Sequence, residues 1–198
     1  MPQFKIILKH SFSVLSVAII CFTIYGFQTF NTPQIFILSK SLGVLAAILF
    51  LLTLIPGIVK RLQITQLNQI ANPLRFSRRT LGVSMFAAAL AHYLFAVIFK
   101  IIKTNQTPEP KIFFVFGMLA LFLSFWLALT SNRFAKHKLG KWWKRLHSLT
   151  YLIVWLIFLH TALIEISSLS LLVLIFAIVE IYSLIKVNFL DKRELQAI

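Results

Sequence analysis

The chain has 198 residues, 59% of them hydrophobic, and a formal net charge of +15. Soluble domains average about 45–50% apolar residues, so this excess, with a mean hydropathy of +0.88, excludes an ordinary water-soluble fold. The basic residues fall between apolar runs rather than in one stripe, which points to lipid headgroups and away from nucleic acid.

Six apolar runs follow one another, at roughly 11–30, 35–55, 80–102, 112–130, 146–164 and 167–185. Each is near the ~20 residues a helix needs to cross ~30 Å of hydrocarbon. The reading is a single integral-membrane domain over 1–198, all-α, built as a bundle of six transmembrane helices. Lys5 and Lys9 ahead of the first run resemble the start of a signal peptide. No small-x-small cleavage pattern follows, so the run reads as an uncleaved first span. Asn31-Thr32-Pro33 opens the second span and Ile55-Pro56-Gly57 is expected to close it, which leaves a long polar loop over 56–79. The TPEP segment (107–110) separates the third span from the fourth. Cys21 is the only cysteine, which excludes an internal disulfide and a CxxC site. No soluble catalytic or nucleotide-binding domain is expected after the sixth span.

Orientation follows from Lys and Arg. The loop after span two carries Lys60, Arg61, Arg75, Arg78 and Arg79, and the loop after span four carries Arg133, Lys136, Lys138, Lys141, Lys144 and Arg145. With Lys5, Lys9, Lys186, Lys192 and Arg193 in the tails, sixteen of the twenty basic residues share one side. Lys40, Lys100, Lys103 and Lys111 are left for the other. The positive-inside rule then makes both termini cytoplasmic.

Five histidines are present. His10 and His137 lie outside the spans and read as solvated or headgroup-facing. The segment HSLTYLIVWLIFLH (147–160) holds two more, and His92 lies in the third span. His92 is about thirteen residues into its span and His160 about fifteen into the fifth, so at ~1.5 Å per residue both lie roughly 20 Å from the cytoplasmic edge. The two spans run in the same direction, so the imidazoles are level. Level histidines on different helices suit the two axial positions of one haem, and coordination removes the cost of an unsatisfied nitrogen in hydrocarbon. An interhelical hydrogen bond or a proton relay is the alternative. GVSMFAAALAH (82–92) leaves room for a macrocycle, though small residues also serve helix packing alone.

His147 lies about 20 Å nearer the cytoplasm than His160 and is a candidate ligand of a second, inner haem, or an interfacial residue capping the fifth span. At its level the third span offers Arg78 and Arg79, which suit haem propionates. Glu180 is the one carboxylate well within a span. Its depth suits pairing with Arg79 or Arg145, or holding a proton at an inner quinone or flavin site; a structural ion pair is the plainer reading. Trp142 and Trp143 read as interface anchors.

The stretches RRTLGVSMFAAALAH (78–92) and LALTSNRFAKHKLGKWWKRLHSLTYLIVWLIFLH (127–160) resemble the ferric-reductase-like transmembrane haem family, shared with membrane NADPH oxidases. Within it they are most similar to the haem-binding subunits of protein-methionine-sulfoxide reductase systems (MsrQ type). The resemblance implies a b-type cytochrome of the bacterial inner membrane with haem ligands at His92, His160 and His147, one or two haems, and an associated flavin mononucleotide (FMN) with no residue assigned. It also implies electron transfer from quinol or a cytoplasmic flavin reductase to a periplasmic molybdenum-containing reductase of oxidised methionine. Such a chain would be the electron-transfer subunit and not the catalytic one. A transmembrane ferric or other metal reductase, and a haem-free proton-linked transporter, are the competing readings.

Overall fold

The computed structural model describes residues 2–98, 101–102, 105 and 111–196, with the side chains of 2–9, 27, 32 and 188–196 left out. The TPEP segment, Lys100 and Lys103 lie outside the described residues. Among the described residues every regular element is helical. In chain order these are α1 (Pro2–Thr29), α2 (Thr32–Leu62), a 3₁₀ turn (Thr65–Leu67) and α3 (Asn68–Tyr93), which runs into a π-helical turn (Leu94–Ile98). There follow α4 (Ile112–Leu129), the short α5 (Arg133–Leu139) and α6 (Lys141–His147), then α7 (Thr150–Ile164) and α8 (Ser168–Gln196).

Among the described residues five stretches are long and apolar enough to cross a membrane: Pro33–Leu62, Thr65–Ile98, Ile112–Leu129, Lys141–Ile164 and Ser168–Val187. The chain is a multi-pass membrane protein. Among the described residues α1 contributes the apolar stretch His10–Gly26, and the expected first span at 11–30 extends beyond it.

Asn31 caps α2. Its side chain accepts from the Gln34 N–H, and the Gln34 side chain accepts from the Asn31 N–H, a reciprocal capping box. The expected stop at Pro56 is not where α2 ends. The helix runs through Pro56 to Leu62 and closes at Gln63, whose φ of 58° is left-handed. In apolar surroundings each backbone group must find an internal partner, so stopping at Pro56 would strand more groups than the proline itself removes. The expected loop over 56–79 is likewise mostly helix. α3 begins at Asn68 and contains Pro73, with Ala71, Leu74, Ser77 and Leu81 at helical spacing turned inward.

Helix pairing makes a closed ring: α2 packs on α3, α3 on α4, α4 on α7, α7 on α8, and α8 back on α2, with α1 laid outside against α3. All five ring helices contribute to one core, through Phe50 and Leu54, Leu81 and Met85, Ala120 and Leu127, Ile153 and Val154, and Val173 and Ala177. A second cluster of Ile19, Ile35, Leu42, Ala46, Ala88, Ala91 and Phe95 joins α1, α2 and α3 at the other end. Phe36, Ile37, Phe122, Leu152 and Ile175 are exposed on the outside, as helices facing lipid require.

Lipid is as apolar as leucine, so close packing and polar ties must hold such helices together. One tie is the Ser84 hydroxyl, which donates to the Phe12 carbonyl at 2.7 Å and lies 2.8 Å from the Ser16 hydroxyl, joining α3 to α1. The larger tie centres on Arg61 of α2. Its Nη2 lies 2.6 Å from Glu180 Oε1, its Nε donates to the Ser183 hydroxyl at 2.8 Å and its Nη1 to the Tyr151 hydroxyl at 3.3 Å. The guanidinium lies back over Gly57, where a Cβ would come within 3.3 Å of Nη1. Residue 57 without a side chain therefore lets a charge near the helix end reach the interior of α7 and α8.

Removing one partner of a buried ion pair leaves the other charge stranded, at about 3–5 kcal/mol. Glu180→Leu should therefore lower thermal stability in detergent sharply, and Arg61→Met/Glu180→Leu should regain most of that loss. A double variant as unstable as the single one would show that the pair has a role beyond mutual neutralisation.

Candidate functional site

His92 and His160 are carried inward by helical periodicity. On α3 the buried Leu81, Met85, Ala88 and Phe95 share the face of His92, and on α7 Ile153 and Leu156 lead up the face of His160. α3 and α7 are not among the closely packed helix pairs, so the two side chains reach towards each other across the ring. Their ring centroids are 6.3 Å apart and the ring planes meet at 76°. The levels counted along the two spans do coincide.

Each imidazole is held from behind. His92 Nδ1 lies 2.8 Å from the Ser39 carbonyl on α2, and His160 Nδ1 lies 2.8 Å from the Phe113 carbonyl on α4. A carbonyl only accepts, so in both rings Nδ1 is the protonated nitrogen, and Nε2 keeps a lone pair. With Nδ1 turned to the outer helices, both Nε2 edges are turned to the interior. No hydrogen bond joins the two rings, because two acceptors cannot share a bond without a proton or metal between them. The backbone is tied as well, since the Ser39 hydroxyl donates to the His92 carbonyl at 3.3 Å, just ahead of the π turn.

The separation has a direct metric meaning. Imidazole nitrogen binds first-row metals at about 2.0–2.1 Å, and the ring centre sits about 1.1 Å behind that nitrogen. Two imidazoles on opposite sides of one metal ion thus have centres roughly 6.3 Å apart. The donor set, two neutral nitrogens with their second nitrogens bonded to carbonyls, is the arrangement that orients metal-ligating histidines. The centroid spacing equals that of two imidazoles bound to one metal ion.

The inner level is arranged differently. His147 ends α6, and its ring stacks on Trp143 with centroids 4.1 Å apart at 27°. Its Nε2 lies 3.3 Å from the Thr130 hydroxyl, whose own hydrogen is directed to the Trp126 carbonyl at 2.7 Å, so the imidazole is the donor. Trp143 Nε1 donates to the Thr130 carbonyl at 3.0 Å. Trp143 is thus turned against His147, while Trp142 is exposed under the Arg145 guanidinium. Arg78 is within electrostatic range of His147, Tyr151 and Glu180. Arg79 and Arg145 are exposed, and neither pairs with Glu180. The partner of Glu180 is Arg61, which the sequence placed in a loop; the signal that could have found it is a helix carried through Pro56. Among the described residues no group of three or more His, Cys, Asp or Glu side chains is placed to hold a metal ion.

The family described as the ferric reductase like transmembrane component matches residues 42–159, more than half of the chain. The chain belongs to that family. The matched region includes α2 from Leu42, His92 and His147, and it stops one residue short of His160. Among curated relatives, the protein-methionine-sulfoxide reductase heme-binding subunits MsrQ of Brucella anthropi and Brucella ovis are each 36% identical over 83 residues. Those residues are 39% of this chain and 37% of each relative, so the likeness spans little more than a third of their length. No solved structure matches.

Proposed function

We propose that the chain is a membrane b-type cytochrome subunit that holds one haem between His92 and His160 and carries electrons across the bacterial inner membrane. The observation that carries this reading is the pair of imidazoles 6.3 Å apart, each with Nδ1 bonded to a carbonyl. Membership of the family and the heme-binding role that the Brucella relatives are named for support it.

When bound, a haem supplies an iron that takes up and gives back one electron. The protein's part is to present two neutral nitrogens at the correct spacing. The Nδ1 hydrogen bonds fix both tautomers and raise ligand basicity, which favours the oxidised iron. Apolar walls from Leu42, Ala46, Ala88, Ala91 and Phe95 keep water from the site.

The bundle has six spans in this reading, with α1 as the first and both termini cytoplasmic. The basic loops then face the cytoplasm, and the His92–His160 pair lies towards the outer half, where electrons leave. The donor is quinol or a cytoplasmic flavin reductase, and FMN belongs to that donor side with no side chain assigned. The acceptor is a periplasmic molybdenum-containing reductase of oxidised methionine in proteins. A second haem at His147 would require that ring to leave both Trp143 and Thr130. Delivery of electrons to ferric iron outside the cell is the reading for this family should no protein acceptor exist.

A visible spectrum of protein purified from haem-replete cells tests the assignment. Wild type should show the reduced bands of a b-type cytochrome. His92→Ala and His160→Ala should each abolish the six-coordinate spectrum, while His147→Ala should keep it. Colourless wild-type protein would leave a haem-free transporter as the better description. For the acceptor, reduced protein should be reoxidised by a periplasmic methionine-sulfoxide reductase and not by ferric chelates; the opposite pattern would make it a metal reductase.

A further inference from the structure

The two histidines are backed by the same local device on two unrelated helices. On α2 the carbonyl that receives His92 belongs to Ser39, and four residues on stands Gly43. On α4 the carbonyl that receives His160 belongs to Phe113, and four residues on stands Gly117. In an α-helix the carbonyl of residue i already accepts the N–H of residue i+4. A second donor can reach it only by lying against the helix wall beside residue i+4, where a Cβ would normally project. A Cβ at Gly43 would stand 3.0 Å from His92 Nδ1 and 3.2 Å from its Cε1. At Gly117 it would stand 2.7 Å from His160 Nδ1 and 2.8 Å from its Cε1.

We propose that Gly43 and Gly117 are positioning residues, notches in α2 and α4 that let the two imidazoles rest on helix backbone and share its carbonyls, so fixing ring depth and plane. For iron binding the inference rests on the function proposed above. The notches are not equivalent. A methyl group at 43 demands a shift of a few tenths of an ångström, and the Ser39 hydroxyl, 3.2 Å from His92 Nδ1, offers a second contact. At 117 the overlap with the ring is deeper, at 2.7 Å from Nδ1, and residue 113 is a phenylalanine without a hydroxyl. His160 must then give up the Phe113 carbonyl and move towards the iron position. Gly82, on α3 with nothing within 4 Å of its would-be Cβ, is the built-in control.

The full chain carrying Gly117→Ala, Gly43→Ala or Gly82→Ala is purified from haem-replete cells and compared for haem content, ferric spin state and midpoint potential. Losing the partner that orients a metal-bound histidine weakens metal affinity about 10–100-fold. Gly117→Ala should show that loss, with high-spin ferric haem in whatever remains. Gly43→Ala should keep low-spin haem with a raised midpoint potential, and Gly82→Ala should match wild type. Wild-type haem content, spin state and potential in both Gly43→Ala and Gly117→Ala would overturn the proposal. Should Gly117→Ala not accumulate, Gly43→Ala decides alone through its potential. Should wild type carry no haem, the function reading fails and the notch is judged by histidine ¹⁵N shifts. A pure Nδ1–H tautomer in wild type that becomes mixed in the glycine variants supports it; unchanged shifts refute it.

Discussion

Two imidazoles that each donate outward through Nδ1 keep Nε2 as the acceptor of each ring, with the ring centroids 6.3 Å apart. The Ser39 and Phe113 carbonyls enforce this polarity. In the proposed function a metal ion is held between the two nitrogens without changing either outer bond.

The surrounding bundle makes that arrangement rigid. His92 and His160 sit on helices that do not pack closely on each other, and each is buttressed by a neighbour in the ring, α2 for one and α4 for the other. The ring is tied at its basic end by Arg61, Glu180, Tyr151 and Ser183, which join α2, α7 and α8. Serine hydroxyls and small side chains hold α1 to α3. None of these ties depends on expelling water, as befits helices solvated by lipid. Ring geometry is therefore set by backbone, and electron transfer gains from a site that need not reorganise.

Much of this could be read along the chain, and what could not has a common cause. Five of the apolar spans and the matched depth of His92 and His160 depend on counting residues within one helix, and there counting sufficed. The continuation of α2 past Pro56 was hidden because proline is a local stop signal, while the demand for internal backbone pairing comes from the surroundings. Residues 68–79 lack an apolar run, so their inward face of Ala71, Leu74 and Ser77 was taken for loop. The Arg61–Glu180 pair joins residues more than a hundred positions apart, and nothing in the spacing of either announces the other. Gly43 and Gly117 look like any glycine in an apolar helix until the imidazoles lying on them are seen.

The central claim is that His92 and His160 bind one iron from opposite faces with their ring planes near a right angle. Crossed imidazole planes leave two iron d-orbitals nearly equal in energy, which preserves orbital angular momentum and spreads the electron-spin resonance of ferric haem. Low-temperature resonance of the oxidised wild-type protein measures this directly. The account predicts a low-spin signal of large anisotropy; a high-spin signal, or the compact rhombic pattern of parallel imidazoles, would contradict it.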